Sequence, residues 1–390
     1  MHLHGLLPLL RDTEEYAELR AHLDTAGALH ETTLFESAVP CVVASLQQDL
    51  ALPVCIIVSD PERAATQRDE LEQWVQPGVE VVRLPEPDFP YASPEGAVNE
   101  SMLARAKLAS NLALRRSGSA GLVLVASVLA TIGAMRAPSD VAAATIEVRR
   151  GTIRKPSDLL GNLERLGYER VHFVTQRGQM SARGGIVDVF PPAHDEPIRI
   201  EFFGDEVESL RVFDPVSQLS TTAIERALLT TTASEGHSAC IIDYLTQETL
   251  VVLEDPSALE LRSLRLHDEL AEYSDAATSA ERVSPKPGAY LEWPDVADRL
   301  SRFRRLGLRP WDNLVDVQSR PAFLPAPFYA QRLPALTQGI PDALTRGQRL
   351  VFASLQAQRL QELLQDVDIP VPISANIEVV PPPGSLTLVE

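Results

Sequence analysis

Apolar residues along the first third of this chain gather in runs of five or six positions, at 54–59 (VCIIVS), 79–84 (VEVVRL) and 122–126 (LVLVA). Amphipathic stretches of helical period lie around them, at 14–23 and 64–75. Short fully apolar strands interleaved with helices predict a parallel sheet covered on both faces. At about residue 146 the pattern changes: a helix at 156–166 precedes segments that alternate strictly between apolar and polar, the mark of antiparallel strands with one buried face. A further apolar strand at 250–253 returns the pattern to α/β. After the Pro-rich spacing of 321–334, the remainder reads as helix, strand 350–354, helix 356–365 and strand 386–389. Four blocks result: 1–145, 146–232, 233–330 and a small α/β block, 331–390. The fold class is α/β with a β-rich (α+β) block in its middle.

The sharpest alternation lies at 183–213, where two strand patterns flank a turn-rich segment, 191–197. In the second strand Ile198, Ile200 and Phe202 share one face, and Arg199, Glu201 and Phe203 share the other. An outward face that combines an arginine, a carboxylate and a large aromatic has the residue types enriched in binding hot spots. The plainer reading is a solvated strand carrying one stray Phe.

Composition narrows the classes of function. With 390 residues and 45% hydrophobic content the chain can bury several cores. The cysteines, Cys41, Cys55 and Cys240, have no metal-ligand spacing, no histidine pairs with a second His or Cys at such spacing, and no catalytic triad can be argued; no catalytic or metal residues are assigned. The apolar run at 121–135 is broken by Ser127 and Thr131 and is short for a membrane span. A basic leader is absent from the start, so a cytoplasmic location without membrane contact is expected. The net charge of −19 opposes nucleic-acid binding through bulk electrostatics. Residues 146–232 are nearly neutral, with eleven Arg/Lys against thirteen Asp/Glu, whereas 1–145 carry ten against nineteen. Arg299, Arg302, Arg304, Arg305 and Arg309 gather around Phe303 on an expected helix and its exit, where a charged helix face is the default.

The wording of 183–213, RGGIVDVFPPAHDEPIRIEFFGDEVESLRVF, resembles the core of the domain by which UvrB and the bacterial transcription-repair coupling factor (Mfd) bind the excision-repair protein UvrA. The resemblance covers nearly the whole chain, most strongly 146–232. It implies a degenerate RecA/helicase-like α/β domain in two parts, 1–145 and 233–330, split by an inserted UvrA-interaction domain. The small domain then follows. It also implies UvrA as partner, with Arg183, Arg199 and Phe203 at the family's contact positions and Glu201 matching the contact carboxylate of UvrB. Ser181 stands where UvrB has a further Arg. The coupling factor also engages RNA polymerase and duplex DNA, through domains beyond these residues, so the chain reads as an N-terminal fragment or truncated product of it.

Family members that hydrolyse ATP need a glycine-rich loop, a Lys for phosphate charge and a Ser/Thr for magnesium. None of the three lysines, Lys107, Lys155 and Lys286, precedes Ser or Thr. At the position that the resemblance gives this loop, 34–40, the chain has no glycine and has Glu36 instead. Glu254-Asp255 resembles the paired acids of a helicase magnesium motif with their order exchanged. The loop at 86–100, where UvrB carries a tyrosine-rich DNA-clasping hairpin, is shortened here and holds only Phe89 and Tyr91 as aromatics. The expectation is a catalytically silent segment without ATP or magnesium that recruits UvrA in nucleotide excision repair. The alternative is a UvrB-like ATP-dependent DNA-damage-binding helicase subunit, and a weaker third option uses the Arg/Phe face for self-association.

Overall fold

The computed structural model describes residues 1–23, 27–87, 100–114, 121–192, 194–230, 238–277, 289–310, 323 and 333–390. The aromatics Phe89 and Tyr91 and most of the Pro-rich spacing lie outside the described residues.

The first part of the chain supplies β1 (Leu29–Leu34), β2 (Val54–Val58), β3 (Glu80–Arg83) and β4 (Leu122–Ser127). Alternate residues of β2 and β4 face opposite ways into two cores. Cys55, Ile57, Leu124 and Ala126 enter one; Val54, Ile56, Val58, Val123 and Val125 enter the other. Both faces being buried is why these strands are apolar without alternation. Helix Pro61–Trp74 starts where Asp60 accepts the Arg63 amide at 2.8 Å and Pro61 occupies the first turn, an N-cap that sets the helix against the end of β2.

The chain then leaves this sheet to build a second one. Strand β5 (Thr145–Arg149) is followed by helix Pro156–Arg165, β6 (Glu169–Arg170), β7 (Gln179–Arg183), β8 (Ile186–Val189), β9 (Ile198–Phe203), β10 (Glu206–Phe213), β11 (Ser220–Ala223) and β12 (Arg226–Thr230). Strands β6 to β11 lie side by side in chain order, antiparallel except for the β6–β7 pair, while β5 and β12 form their own antiparallel ladder. The inner face buries Met180, Val187, Ile198, Ile200 and Leu210 against Leu159 and Leu163 of the helix.

On its return the chain adds β13 (Leu250–Glu254) and β14 (Arg304–Pro310), and the first sheet reads β1-β14-β13-β2-β4-β3, parallel throughout. Because β13 pairs directly with β2, segments on either side of the inserted sheet share one sheet and both of its cores. Arg304, Arg305 and Arg309 belong to this strand rather than to a helix exit. Its buried stretch is only Leu306-Gly307-Leu308 between arginines, a pattern too brief to announce a strand. The arginine cluster is engaged within the chain: Arg299 and Arg302 pair with Asp243, and Arg309 pairs with Glu31.

A third, parallel sheet follows, ordered β15 (Leu350–Ala353), β17 (Leu386–Val389), β16 (Ile373–Ser374), with helices Leu333–Thr345 and Ala357–Gln365. The chain's start fastens it to the first domain. Leu3 donates its amide to the Gln73 carbonyl at 2.6 Å and Gly5 to that of Ile377 at 2.8 Å. A Cβ at Gly5 would stand 2.5 Å from the backbone of residues 377–379, so only glycine permits this approach.

Candidate protein-interaction face

The outer face of the inserted sheet is built from residues that the β alternation turns away from the helix. Register places Arg183 of β7 opposite Ile186 of β8, Ile186 opposite Glu201 of β9, and Glu201 opposite Ser209 of β10. Phe203 stands at the end of β9, and it is 77% exposed. Beside it the chain turns through Gly184-Gly185. A Cβ on Gly185 would come within 2.9 Å of the Phe202 carbonyl, so the close β8–β9 approach depends on that glycine.

Arg183 is exposed. Its guanidinium lies over the ring of Phe173, 4.2 Å from the centroid, and donates to the His172 carbonyl. Among the described residues no carboxylate pairs with it. Ser181, in the place of UvrB's further Arg, is buried and donates to the same carbonyl at 3.0 Å.

Arg199 corrects the sequence-based picture. Its side chain is only 18% exposed, and its guanidinium is engaged within the domain. Asp188, directly across the ladder and 14% exposed, accepts from Nε at 2.8 Å and from Nη2 at 2.9 Å. The Gln218 carbonyl accepts from Nη1 at 3.2 Å, and the Phe213 ring lies beneath at 4.8 Å. The hydrogen bonds that Arg199 donates to the Asp188 carboxylate raise its pKa above the ordinary value. Glu201 Oε2 accepts from Ser209 Oγ at 2.5 Å. Arg199 is therefore a strut under the face, while Arg183, Ile186 and Phe203 form its open part.

The segment that carries this geometry has a counterpart among known proteins. Residues 146–234 match the UvrB interaction domain. The chain is 35% identical to the transcription-repair-coupling factor of Myxococcus xanthus over 112 residues, 26% of this chain and 9% of that protein. It is 32% identical to UvrABC system protein B of Caldicellulosiruptor bescii over 182 residues, 46% of this chain and 26% of that protein. A third relative, UvrABC system protein B of Vibrio vulnificus, is 38% identical over 96 residues, 24% of this chain and 14% of that protein. The chain thus spans between 9% and 26% of the lengths of these relatives. The segment that matches the UvrB interaction domain is inserted between strands of a parallel α/β sheet.

Two exposed residues of the interaction domain's outer face escaped sequence reasoning. Ile186 follows the glycine pair and reads as the start of an apolar strand. Phe173 lies in 171–178, which has no period of either kind, so only the fold brings it beside Arg183.

A second cluster sits at the C-terminal edge of the parallel sheet, the place where open α/β sheets receive ligands. Arg63 spans it, with Nε bonded to both Glu254 oxygens at 3.0 Å, Nη2 to Glu254 at 2.5 Å and Nη1 to Glu36 at 2.6 Å. The side chains of Arg63 and Glu254 are 14% and 19% exposed. Burial raises the pKa of the neighbouring Glu70 carboxyl. Glu36 and Glu254, the residues singled out on either side of the expected phosphate position, are thus joined by one arginine. Removing a partner from a largely buried ion pair strands the opposite charge. Arg63→Ala should therefore destabilise the parallel-sheet part by about 2 kcal/mol, less than for a wholly buried pair because Glu36 meets solvent. Chemical denaturation followed by the fluorescence of Trp74, on the same helix, checks this. Among the described residues no helix is long and apolar enough to cross a membrane, and no His/Cys/Asp/Glu group could hold a metal ion.

Proposed function

We propose that this chain is the UvrA-recruiting part of a transcription-repair coupling factor, acting in nucleotide excision repair in the cytoplasm through the outer face of its interaction domain. The observation that carries the proposal is Phe203: a large aromatic, 77% exposed, on the same outer face as Arg183, an exposed cation that has no carboxylate partner among the described residues. Surfaces of that kind are used for protein partners, because the aromatic contributes apolar area at low entropy cost and the arginine contributes charge-assisted hydrogen bonds. Arg183, Phe203 and Glu201 are the proposed contacts, with Arg199 acting by holding the strand pair in shape. RNA polymerase and duplex DNA, in this reading, are met by regions outside these 390 residues.

The degenerate helicase-like character of the α/β domain belongs to the same proposal. Glu36, at the position that the resemblance gives the phosphate loop, is joined to Glu254 by Arg63, and added phosphates would face these carboxylates. The chain is therefore proposed to bind neither ATP nor magnesium. The longer match to UvrABC system protein B, 182 residues against 112, favours the second reading, an ATP-dependent DNA-damage-binding subunit. Thermal unfolding with and without millimolar magnesium-ATP decides between them. No shift of the midpoint is expected, whereas saturating ligand at about 100 times its Kd would add about 2.7 kcal/mol. A nucleotide-dependent shift would favour the second reading.

A further inference from the structure

We propose that Phe173 is a second apolar anchor of the interaction face, working with the Arg183 guanidinium stacked on its ring; this rests on the UvrA-recruiting function proposed above. The ring is 57% exposed although the segment that bears it is firmly held. Val174, the next residue, is fully buried against Phe190 and Phe213 on the outer face of the sheet. Its carbonyl accepts from Gln218 Nε2 at 3.1 Å, and the His172 carbonyl accepts from Ser181 Oγ at 3.0 Å and from Arg183. Both neighbours of Phe173 are thus tied to the sheet while its own side chain is left in solvent. An aromatic ring pre-positioned in this way loses little freedom on binding.

Charge specifies the complementary surface. Arg199 has its counter-ion, Asp188, within the domain. Arg183 has an aromatic ring and a backbone carbonyl, and no carboxylate partner among the described residues. Covering Arg183 with a partner therefore calls for an acidic side chain on its guanidinium edge, because a desolvated cation without one is costly. The two exposed rings of the face, Phe173 against Arg183 and Phe203 at the end of β9, call for apolar side chains around that acid. The fitted surface of UvrA is accordingly a carboxylate bordered by apolar residues, spanning the width from Phe203 to Phe173.

A bland role for Phe173 is to position Arg183 without touching the partner. A double-mutant cycle separates the two. The full chain is titrated with UvrA as wild type, Phe173→Ala, Arg183→Ala, the double variant and Phe203→Ala, each first checked for an unchanged unfolding midpoint. Phe173→Ala is expected to weaken binding about tenfold, to keep at least about a threefold effect in the Arg183→Ala background, and to be rescued by Phe173→Leu. If Phe203→Ala weakens binding but Phe173→Ala does not, the anchor is disproved and the UvrA reading stands. Loss of the Phe173 effect once Arg183 is gone would reduce Phe173 to a positioning residue and overturn the anchor. If neither aromatic matters, the UvrA face itself is wrong and the anchor falls with it.

Discussion

Ile200→Ala is expected to lower the stability of the interaction domain by about 2–5 kcal/mol, the cost of removing a fully buried branched side chain and leaving a cavity. Ile200 is fully buried, at the centre of the inner face, among Val187, Leu210 and the helix leucines. Its neighbourhood comprises a sheet and a helix already locked by several layers of contacts, so little collapse is available to fill the space. Three residues along the same strand, Phe203 points the other way into solvent, and Phe203→Ala should change stability by no more than about 0.5 kcal/mol. Urea unfolding of the two variants side by side measures the contrast. Equal losses would mean that the strand register, and with it the assignment of inner and outer faces, is incorrect.

Arg199→Ala should also destabilise, by about 3 kcal/mol, the low end for a buried ion pair because both side chains keep some contact with water. The substitution leaves Asp188 inside the outer face without its two hydrogen bonds and leaves the Phe213 ring without its cation. Replacing both charges together, Arg199→Met with Asp188→Leu, should restore much of the loss, since apolar pairs of similar size substitute well for buried ion pairs. Loss of UvrA binding by Arg199→Ala on its own would therefore not identify a contact. A double variant as unstable as Arg199→Ala would show that the ion pair is not the source of the effect.

Much of this architecture was legible in the chain because two hydrophobic periods dominate it. The uninterrupted runs at β2, β4 and β13 announced strands buried on both sides, and the alternation in β9 separated Ile200 from Phe203 before any coordinates. Strands β1 and β14 were not legible as strands. LHETTL has apolar residues only at its ends and lies at the sheet's edge, and the two core residues of RRLGLRP are too few to set a period. The candidate face was legible as a set of residues and illegible as a set of partners. Asp188 neutralises Arg199 only because the β8–β9 register sets them opposite each other, and register is a property of the folded hairpin. The Arg63 cluster was hidden for a similar reason, since Glu36, Arg63 and Glu254 come from three distant segments that meet only at the edge of the sheet.

The most direct test of the central claim is the affinity of UvrA for this chain and for its Phe203→Ala variant, measured by calorimetry on samples with matching unfolding curves. Truncation of a hot-spot residue costs about 2 kcal/mol or more, so the variant is expected to bind at least about thirtyfold more weakly. Equal affinities for the two proteins, or no measurable binding by the wild-type chain, would contradict the assignment of this face to UvrA.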